Sequence, residues 1–233
     1  MKDEPLQKAA RRGLADEVAD RVREAIFEGR FPPGAPLRET ELAESLGVSR
    51  GAVREGLAQL RREGLIRTDW HRPTTVVAAT AADVDEVYRV RAALDRLAAV
   101  TARRLATAPQ LDELDRLVEE MAAELAAGAP VPRLLALDMA FHDQIYAAAG
   151  NHRLTQAWQA LRSQVFLFQL QRASLARGQY RALVVGEHRE LARLLRDGGT
   201  PEQLDQLAGE HVDFARRSLL ALLAGPAGEA LPD

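Results

Sequence analysis

The sequence predicts a mostly α-helical protein, in which a small N-terminal domain of three helices and a β-hairpin precedes an all-α antiparallel helical bundle. Residues 14–77 contain short amphipathic segments followed by two β-prone segments, which is typical of a small mixed domain. Residues 83–223 carry periodic Leu, Val and Ala without a strand signal, and Gly- and Pro-rich breaks divide them. We therefore predict two domains, over residues 10–78 and 83–222.

The composition is that of an ordinary globular protein, with 47% hydrophobic and 28% charged residues in a chain of 233. The absence of cysteine excludes disulfides and thiolate metal sites. No apolar run approaches the roughly 18 residues that a membrane-spanning helix needs, and the polar N-terminus lacks the apolar core of a secretory signal. We expect a cytoplasmic protein without a membrane partner.

Three helices and a hairpin are indicated in the N-terminal domain. The first two helices cover residues 14–28 and 39–46, with a proline-rich extended connection between them. Ser49 is a suitable N-cap for a third helix that runs to about residue 63. The segments 65–68 and 74–77 then predict a β-hairpin. This order of elements is that of a winged helix-turn-helix.

The start of the third helix has the chemistry of a surface that contacts DNA. Arg50 and Arg54 are four residues apart on one face, and an arginine fork can bond both guanine O6 and N7. The backbone N–H groups of the first turn, near Ser49 and Gly51, can face phosphate. Residues 47–76 contain six arginines against three acidic residues, in a chain of net charge −3. A local DNA footprint explains this basic window, although a solvated charged face is also compatible with charge alone.

A dense, contiguous motif connects these elements to a known family. It runs Pro33-Gly34-x-x-Leu37-Arg38-Glu39-x-Glu41-Leu42-Ala43-x-x-Leu46-Gly47-Val48-Ser49-Arg50-x-x-Val53-Arg54-Glu55-x-Leu57-x-x-Leu60-x-x-Glu63-Gly64-Leu65-Ile66. This stretch resembles the DNA-binding domain of the GntR family of transcriptional regulators. The resemblance implies that Arg38, Arg50 and Arg54 contact operator DNA, and that the wing, with His71 and Arg72, touches the adjacent minor groove or backbone.

Three residues depart from the family pattern. Ala52 stands where proline is usual, and Gly56 stands where alanine is usual. Glycine inside a helix costs roughly 1 kcal/mol of helix stability relative to alanine. Pro73 replaces the glycine at the tip of the wing, and proline cannot adopt the left-handed conformation that glycine allows. The shape of the wing is therefore expected to differ from that of its relatives.

The second domain is predicted to consist of helices only, after a linker at residues 79–82. The expected helices cover residues 83–106, 110–127, 131–149, 154–173, 181–196 and 201–223. Asn151, which follows Gly150, is expected to cap the helix after it. Trp158 is expected in the core or at a dimer surface.

Four residues of this domain have the chemistry of a metal site. Asp138 and His142 are four residues apart and so project from the same face of one helix, and His188 and His211 lie on two later helices. A carboxylate with three imidazoles suits a divalent transition metal such as Zn, Ni, Co or Mn. Spacing alone leaves ordinary core or surface histidines as the alternative.

A second resemblance extends over residues 83–222. Arg91-x-x-Leu94-Asp95, Asp138-x-x-Phe141-His142, Ala149-Gly150-Asn151, Glu187-His188 and a final-helix His211 are similar to the FCD domain, the effector domain of the FadR subfamily of GntR regulators. This resemblance implies a metal held by Asp138, His142, His188 and His211, and an organic-acid effector beside it. Arg91 is the expected partner of the effector carboxylate, with an ion pair to Asp95 on the helix surface as the alternative; Arg162 is a second candidate.

The combined hypothesis is a homodimeric repressor, not an enzyme, that binds double-stranded operator DNA and is controlled by a carboxylate effector. Two alternatives remain at this point. One is a regulator for which the metal itself is the signal. The other is a metal-dependent hydrolase that uses the Asp and His cluster, although no carboxylate is evidently placed as a general base and the basic helix-turn-helix would be unexplained.

Overall fold

A computed structural model describes residues 13–68, 73–176 and 184–225. The chain divides into two compact units, with the boundary between Val77 and Ala78. The first unit contains α1 (Leu14–Phe27), α2 (Glu39–Leu46), α3 (Arg50–Arg62), β1 (Ile66–Arg67) and β2 (Thr75–Val76). The second contains α4 (Ala81–Leu105), α5 (Ala108–Ala126), α6 (Val131–Ala148), α7 (His152–Leu175), α8 (Val184–Asp197) and α9 (Pro201–Ala224). The predicted fold class, a mostly α protein with a small β-hairpin wing, is confirmed.

The turn between α2 and α3 has the predicted chemistry. Gly47 ends α2 in the left-handed conformation, with φ of +66°, which glycine adopts without steric cost. Ser49 caps α3, because its hydroxyl accepts a hydrogen bond from the backbone N–H of Ala52 at 3.2 Å. On the opposite side of α3, Val53 and Leu60 are fully buried. The apolar face therefore holds α3 in the unit while its first turn stays at the surface.

Gly56 has a packing role that explains its departure from the family pattern. A Cβ at this position would lie 2.8 Å from Val18 Cγ1 and 2.9 Å from the backbone oxygen of Ala15. Both residues belong to α1, so α1 approaches the backbone of α3 too closely for an alanine side chain. The low helix propensity of glycine is the cost of this close packing.

The β-hairpin is shorter than the sequence suggested. β1 and β2 are antiparallel, and Ile66 pairs with Val76. The chain before α2 also pairs with β2: the N–H of Leu37 donates to the Thr74 carbonyl at 2.8 Å, and the N–H of Val76 donates to the Ala35 carbonyl at 3.0 Å. The proline-rich connection therefore forms a third extended segment beside the wing, a pairing that strand propensity did not indicate.

The helices of the second unit begin and end close to their predicted positions. The expected linker at residues 79–82 is shorter, because α4 already begins at Ala81. Thr80 caps it: the Thr80 hydroxyl accepts from the Asp83 N–H at 3.2 Å, and the Asp83 carboxylate accepts from the Thr80 N–H at 2.9 Å. Asn151 caps α7 as predicted, by accepting from the Leu154 N–H at 3.2 Å. The predicted start of α8 at residue 181 lies outside the described residues.

The core of the second unit contains an unusual set of polar side chains. α4 packs along α9 and also contacts α6 and α7. Most residues between these helices are Leu, Val, Ala and aromatic side chains, as the periodicity predicts. The buried polar and charged side chains are Arg91, Asp95, Asp138, His142, Gln169, Arg172 and His188. Because charged groups are rarely buried without partners, this polar interior marks the candidate site. None of the described helices is long and apolar enough to cross a membrane.

Candidate functional site

Four side chains that the sequence singled out meet inside the second unit. Asp138 and His142 come from α6, His188 from α8 and His211 from α9. One ligand-type atom from each of these residues lies within 4.8 Å of the others. The first three side chains are almost fully buried, and the side chain of His211 is 10% exposed. We call this set the Asp–His cluster.

The free donor atoms of the Asp–His cluster fit a divalent transition metal. Asp138 Oδ1 lies 2.9 Å from His188 Nε2, whereas Asp138 Oδ2 and His211 Nε2 are buried and have no hydrogen-bond partner among the described residues. A buried polar atom without a partner lowers the stability of the fold. A metal ion would be a partner for both Asp138 Oδ2 and His211 Nε2. One carboxylate and three imidazoles are a donor set that such ions prefer.

Glu187 orients one of the imidazoles. Its carboxylate lies 2.7 Å from His211 Nδ1 and accepts a hydrogen bond from the N–H of that nitrogen. The Nε2 of the same ring then carries the lone pair, on the side free of other partners. Glu187 belongs to the motif that resembles the FCD domain, but the sequence alone indicated no role for it. The sequence feature that could have indicated this role is the position of Glu187 directly before His188, a candidate ligand, on the same helix.

Electrostatics favour the metal-binding protonation state at three residues of the cluster, Asp138, His142 and His211. Burial by itself would raise the pKa of Asp138, but the contact with His188 and the positive charge of Arg91 lower it well below its usual value. Burial lowers the pKa of His142 well below its usual value, and the charge of Arg91 acts in the same direction. Burial also lowers the pKa of His211, which the hydrogen bond to Glu187 partly offsets. An ionised Asp and neutral imidazoles are the forms that ligate metals.

Arg91 lies against the cluster and is fully buried. Its Nη2 donates to His142 Nε2 at 2.9 Å, and its Nε lies 3.3 Å from Asp95 Oδ2. The ion pair with Asp95 that the sequence offered as an alternative is therefore present, but in the interior and not on the helix surface. Tyr146 completes this group, because its hydroxyl donates to Asp95 Oδ1 at 2.5 Å. Burial and the negative charge of Asp95 raise the pKa of Tyr146, so the phenol stays a proton donor.

A small cavity adjoins these residues. Its volume is about 10 Å³, close to the smallest space that holds a water molecule. Asp95, His142, Tyr146 and His211 are among its lining residues. An organic acid bound in this cavity would therefore have to displace lining side chains.

Arg162, the other candidate for an effector contact, is held elsewhere. Its Nε donates to both carboxylate oxygens of Asp143 at 2.9 Å. The indole N–H of Trp158 also donates to Asp143, at 2.6 Å. Trp158 is fully buried and stacks on Tyr146 with 5.0 Å between ring centroids, so it is a core residue. The structure thus brings Arg91, but not Arg162, to the Asp–His cluster.

The arginines expected to contact DNA lie on the surface of the first unit. The side chains of Arg38, Arg50 and Arg54 are 64%, 62% and 67% exposed. Arg38 pairs with Glu41 at 2.7 Å. Glu39, at the start of α2, lies 3.8 Å from Arg50 and 3.2 Å from Arg54. The basic surface therefore carries its own carboxylates, which the charge count did not locate. His71 and Arg72, expected in the wing, lie outside the described residues.

Comparison with known proteins assigns both units. Residues 14–76 match the family described as bacterial regulatory proteins, gntR family, and residues 86–214 match the FCD domain. The chain belongs to the GntR family. It is a transcriptional regulator of this family, and the resemblance seen in the sequence is confirmed.

Several curated relatives of this GntR regulator are themselves regulators. It is 32% identical over 58% of its length to an uncharacterized HTH-type regulator, YdhC, of Bacillus subtilis, of whose length the match spans 60%. It is 34% identical to a probable D-xylose utilization operon transcriptional repressor of Paenarthrobacter nicotinovorans, over 68% of this chain and 70% of that one. It is 30% identical to the Glc operon transcriptional activator of Escherichia coli, over 71% and 70%.

Solved structures share the fold. A GntR regulator from Rhodococcus sp. RHA1 superimposes with a TM-score of 0.74 at 24% identity, covering 88% of this chain and 97% of that chain. McbR/YncC of E. coli superimposes with a TM-score of 0.70 at 22% identity, covering 89% and 99%. At these identities the likeness concerns the arrangement of the chain alone.

Proposed function

We propose that this GntR regulator is a repressor whose affinity for operator DNA is controlled by an organic acid bound beside a divalent metal. The observation that carries the proposal is the Asp–His cluster, four ligand-type side chains from three helices whose donor atoms lie within 4.8 Å of one another. A regulator has no catalytic use for such a cluster, and a purely structural role would not leave Asp138 Oδ2 and His211 Nε2 without partners among the described residues.

The DNA contacts are assigned to the surface end of α3. Arg50 and Arg54 would read base edges in the major groove, and Arg38 would bind at its margin. Ser49 and Gly51 place backbone N–H groups of the first helical turn toward phosphate. The exposure of the three arginines supports this assignment. A homodimer would present two such helices to a pseudo-palindromic operator.

The effector site is assigned to the interior of the second unit. Asp138, His142, His188 and His211 would hold Zn, Ni, Co or Mn, and the metal would supply a Lewis-acidic position for a carboxylate. Arg91 supports the site because its guanidinium lies at hydrogen-bond distance from a cluster residue and keeps Nη1 free of partners among the described residues. It can therefore bond a carboxylate.

Regulation then follows from differential affinity. An effector shifts the population of DNA-binding forms only by binding one arrangement of the dimer more tightly than the other. The relatives include both a probable repressor and an activator. Release of DNA on effector binding is the outcome we propose for this chain.

A combined metal and DNA experiment tests this function. The purified chain is dialysed, its metal content is measured by mass spectrometry, and binding to its own promoter region is followed by electrophoretic shift with and without small carboxylic acids. We expect close to one metal per chain, a sequence-specific shift, and release of DNA by an acid. An operator affinity that follows free metal concentration without any acid would favour the metal as the signal. Absence of sequence preference at physiological salt would overturn the proposal.

A further inference from the structure

One face of α4 carries a row of apolar side chains that the rest of the described chain leaves at least partly exposed. Val90 and Leu97 are each 51% exposed, although both are large hydrophobic residues. The row lies on the side of α4 opposite Asp95, which is buried in the polar interior. Single exposed hydrophobic residues are common, but an aligned row of them is typical of an interaction surface.

The row has the spacing of a helix that packs along another helix. Its members recur at alternating intervals of four and three residues and are Glu86, Val90, Ala93, Leu97, Val100 and Arg104. An average interval of about 3.5 residues keeps one face of a helix against a partner helix. The row spans about 27 Å of α4, at the helical rise of about 1.5 Å per residue. We call these six residues the α4 seam.

The α4 seam is arranged symmetrically about residue 95. The pairs of seam residues that are equally far from this centre are Glu86 and Arg104, Val90 and Val100, and Ala93 and Leu97. In two antiparallel copies of α4 related by a two-fold axis at this level, each residue faces the other member of its pair on the second copy. Valine then meets valine, the small alanine leaves room for leucine, and a carboxylate meets a guanidinium at both ends of the seam.

The two charged residues of the α4 seam have no ion-pair partner in the described parts of the chain. Other charges on the same helix do have one; Arg89, for example, lies 2.7 Å from Asp85. Glu86 and Arg104 are both exposed, and they lie at opposite ends of the apolar row. Their charges therefore complement those of an antiparallel second copy, whereas a parallel copy would bring like charges together.

We propose that two copies of this chain pair through the α4 seam in antiparallel orientation, with Glu86 of each copy against Arg104 of the other. This pairing rests on the function proposed above, which requires a dimer, and it assigns that dimer to one helix face. Arg91 and Asp95 project from α4 into the polar interior. The same helix therefore contacts the candidate effector site on one side and the second copy on the other, so a shift of α4 alters the pairing of the two copies.

A substitution near the centre of the seam tests whether this face joins two copies. In sedimentation velocity, full-length wild type is expected to be a dimer at micromolar concentration and Leu97→Glu a monomer, with a dimer dissociation constant raised by about 100-fold or more, because the seam would bury two carboxylates. Leu175→Glu, which introduces the same charge at an exposed leucine of α7, is the matched control and should stay dimeric. Because Leu97 is exposed in the single chain, Leu97→Glu should keep the circular dichroism spectrum of wild type.

Charge reversal tests the antiparallel orientation. Glu86→Arg and Arg104→Glu are each expected to weaken the dimer by about tenfold at low salt, because each brings like charges together at both ends of the seam. Equal amounts of the two variants should form mixed dimers in preference to either homodimer, since both ends then join opposite charges. Native mass spectrometry distinguishes these dimers by mass. Arg153→Glu, a charge reversal at an exposed residue of α7, should leave the dissociation constant unchanged.

The outcomes separate the α4 seam from the function it rests on. A Leu97→Glu protein that stays dimeric would overturn the seam, and a random mixture of the two charge variants would overturn its antiparallel orientation. Either result would leave the proposed function intact, because the dimer would then form through another surface. If Leu97→Glu does not fold, the two charge variants decide. A wild-type chain that is monomeric both free and on operator DNA would overturn the seam and the dimeric repressor together.

Discussion

Glu187 determines which ring nitrogen of His211 is available as a ligand in the Asp–His cluster. His211 has two ring nitrogens, and the 2.7 Å contact with Glu187 assigns the proton to Nδ1. The remaining Nε2 then carries the lone pair, which can accept a hydrogen bond or bind a metal ion. The role of Glu187 follows from distance and not from residue type, since carboxylates on helix surfaces are common.

We expect Glu187→Gln to weaken zinc binding by about tenfold, because the neutral amide supports His211 less well than the carboxylate does. Competition with a chromophoric chelator measures the affinity. Glu190→Gln is the matched control, since Glu190 lies on the same helix and pairs with exposed Arg193. Equal zinc affinities for wild type and Glu187→Gln would show that Glu187 does not support the ligand.

The carboxylate of Glu39 lies within 4 Å of the guanidinium groups of both Arg50 and Arg54. On the surface proposed to contact DNA, this carboxylate would compete with phosphate for the arginines and repel the DNA. We expect Glu39→Gln to raise the affinity for duplex DNA by about threefold at low salt, as measured by fluorescence anisotropy. Glu44→Gln removes an exposed charge from the same helix and should have the smaller effect. If both substitutions raised the DNA affinity equally, Glu39 would act only through its contribution to the net charge and not through its contacts with Arg50 and Arg54.

At Gly56 in α3, the packing of helices in the first unit matters more than helix propensity. By propensity alone, Gly56 weakens α3 by roughly 1 kcal/mol relative to alanine. In the structure, the Cβ of an alanine at this position would lie only 2.9 Å from the backbone oxygen of Ala15 in α1. The tertiary contact therefore outweighs the local preference of the helix.

We expect Gly56→Ala to destabilise the protein by about 1–2 kcal/mol, since overpacking costs more than the propensity gained. Urea denaturation followed by circular dichroism measures the change. Gly51→Ala in the same helix is the contrasting variant, because its Cβ would meet only Ser49 Oγ, at 3.7 Å, and it should be neutral or stabilising. A Gly56→Ala protein as stable as wild type would show that α1 moves away at little cost.

The stability of the folded chain is coupled to proton binding at the cluster, and to metal binding there under the proposed function. The pKa values of His142 and His211 are lowered, chiefly by burial, so the unfolded chain binds protons at these residues more readily than the folded one does. Stability therefore rises with pH where the unfolded state holds more protons, and this contribution is lost as pH falls below the unfolded value of about 6.5. The lowered pKa of Asp138 acts at lower pH, below its unfolded value of about 3.9.

We expect the Tm of the metal-free protein to fall between pH 8 and pH 5.5, and zinc to raise Tm at pH 8 but progressively less on acidification. Differential scanning fluorimetry with and without a chelator measures both effects. His211→Gln should flatten the pH dependence, whereas His152→Gln, at the exposed start of α7, should leave it unchanged. A metal-free protein with the same Tm at both pH values would contradict the assigned protonation states.

The sequence by itself determined the features that depend on neighbouring residues. The cap at Ser49, the turn at Gly47 and the apolar periodicity of the helices rest on hydrogen bonds and spacings within a few residues, so the fold class and most helix bounds could be predicted. The four cluster residues were candidates by type and spacing, and the resemblance to the FCD domain singled them out as a set.

Only the tertiary structure decided which of these residues meet and what surrounds them. The convergence of α6, α8 and α9 at the Asp–His cluster, the burial of Arg91 and the close approach of α1 to Gly56 depend on packing between distant segments. Local patterns carry no information on such contacts, because a polar or glycine residue has the same spacing at a surface as in a core.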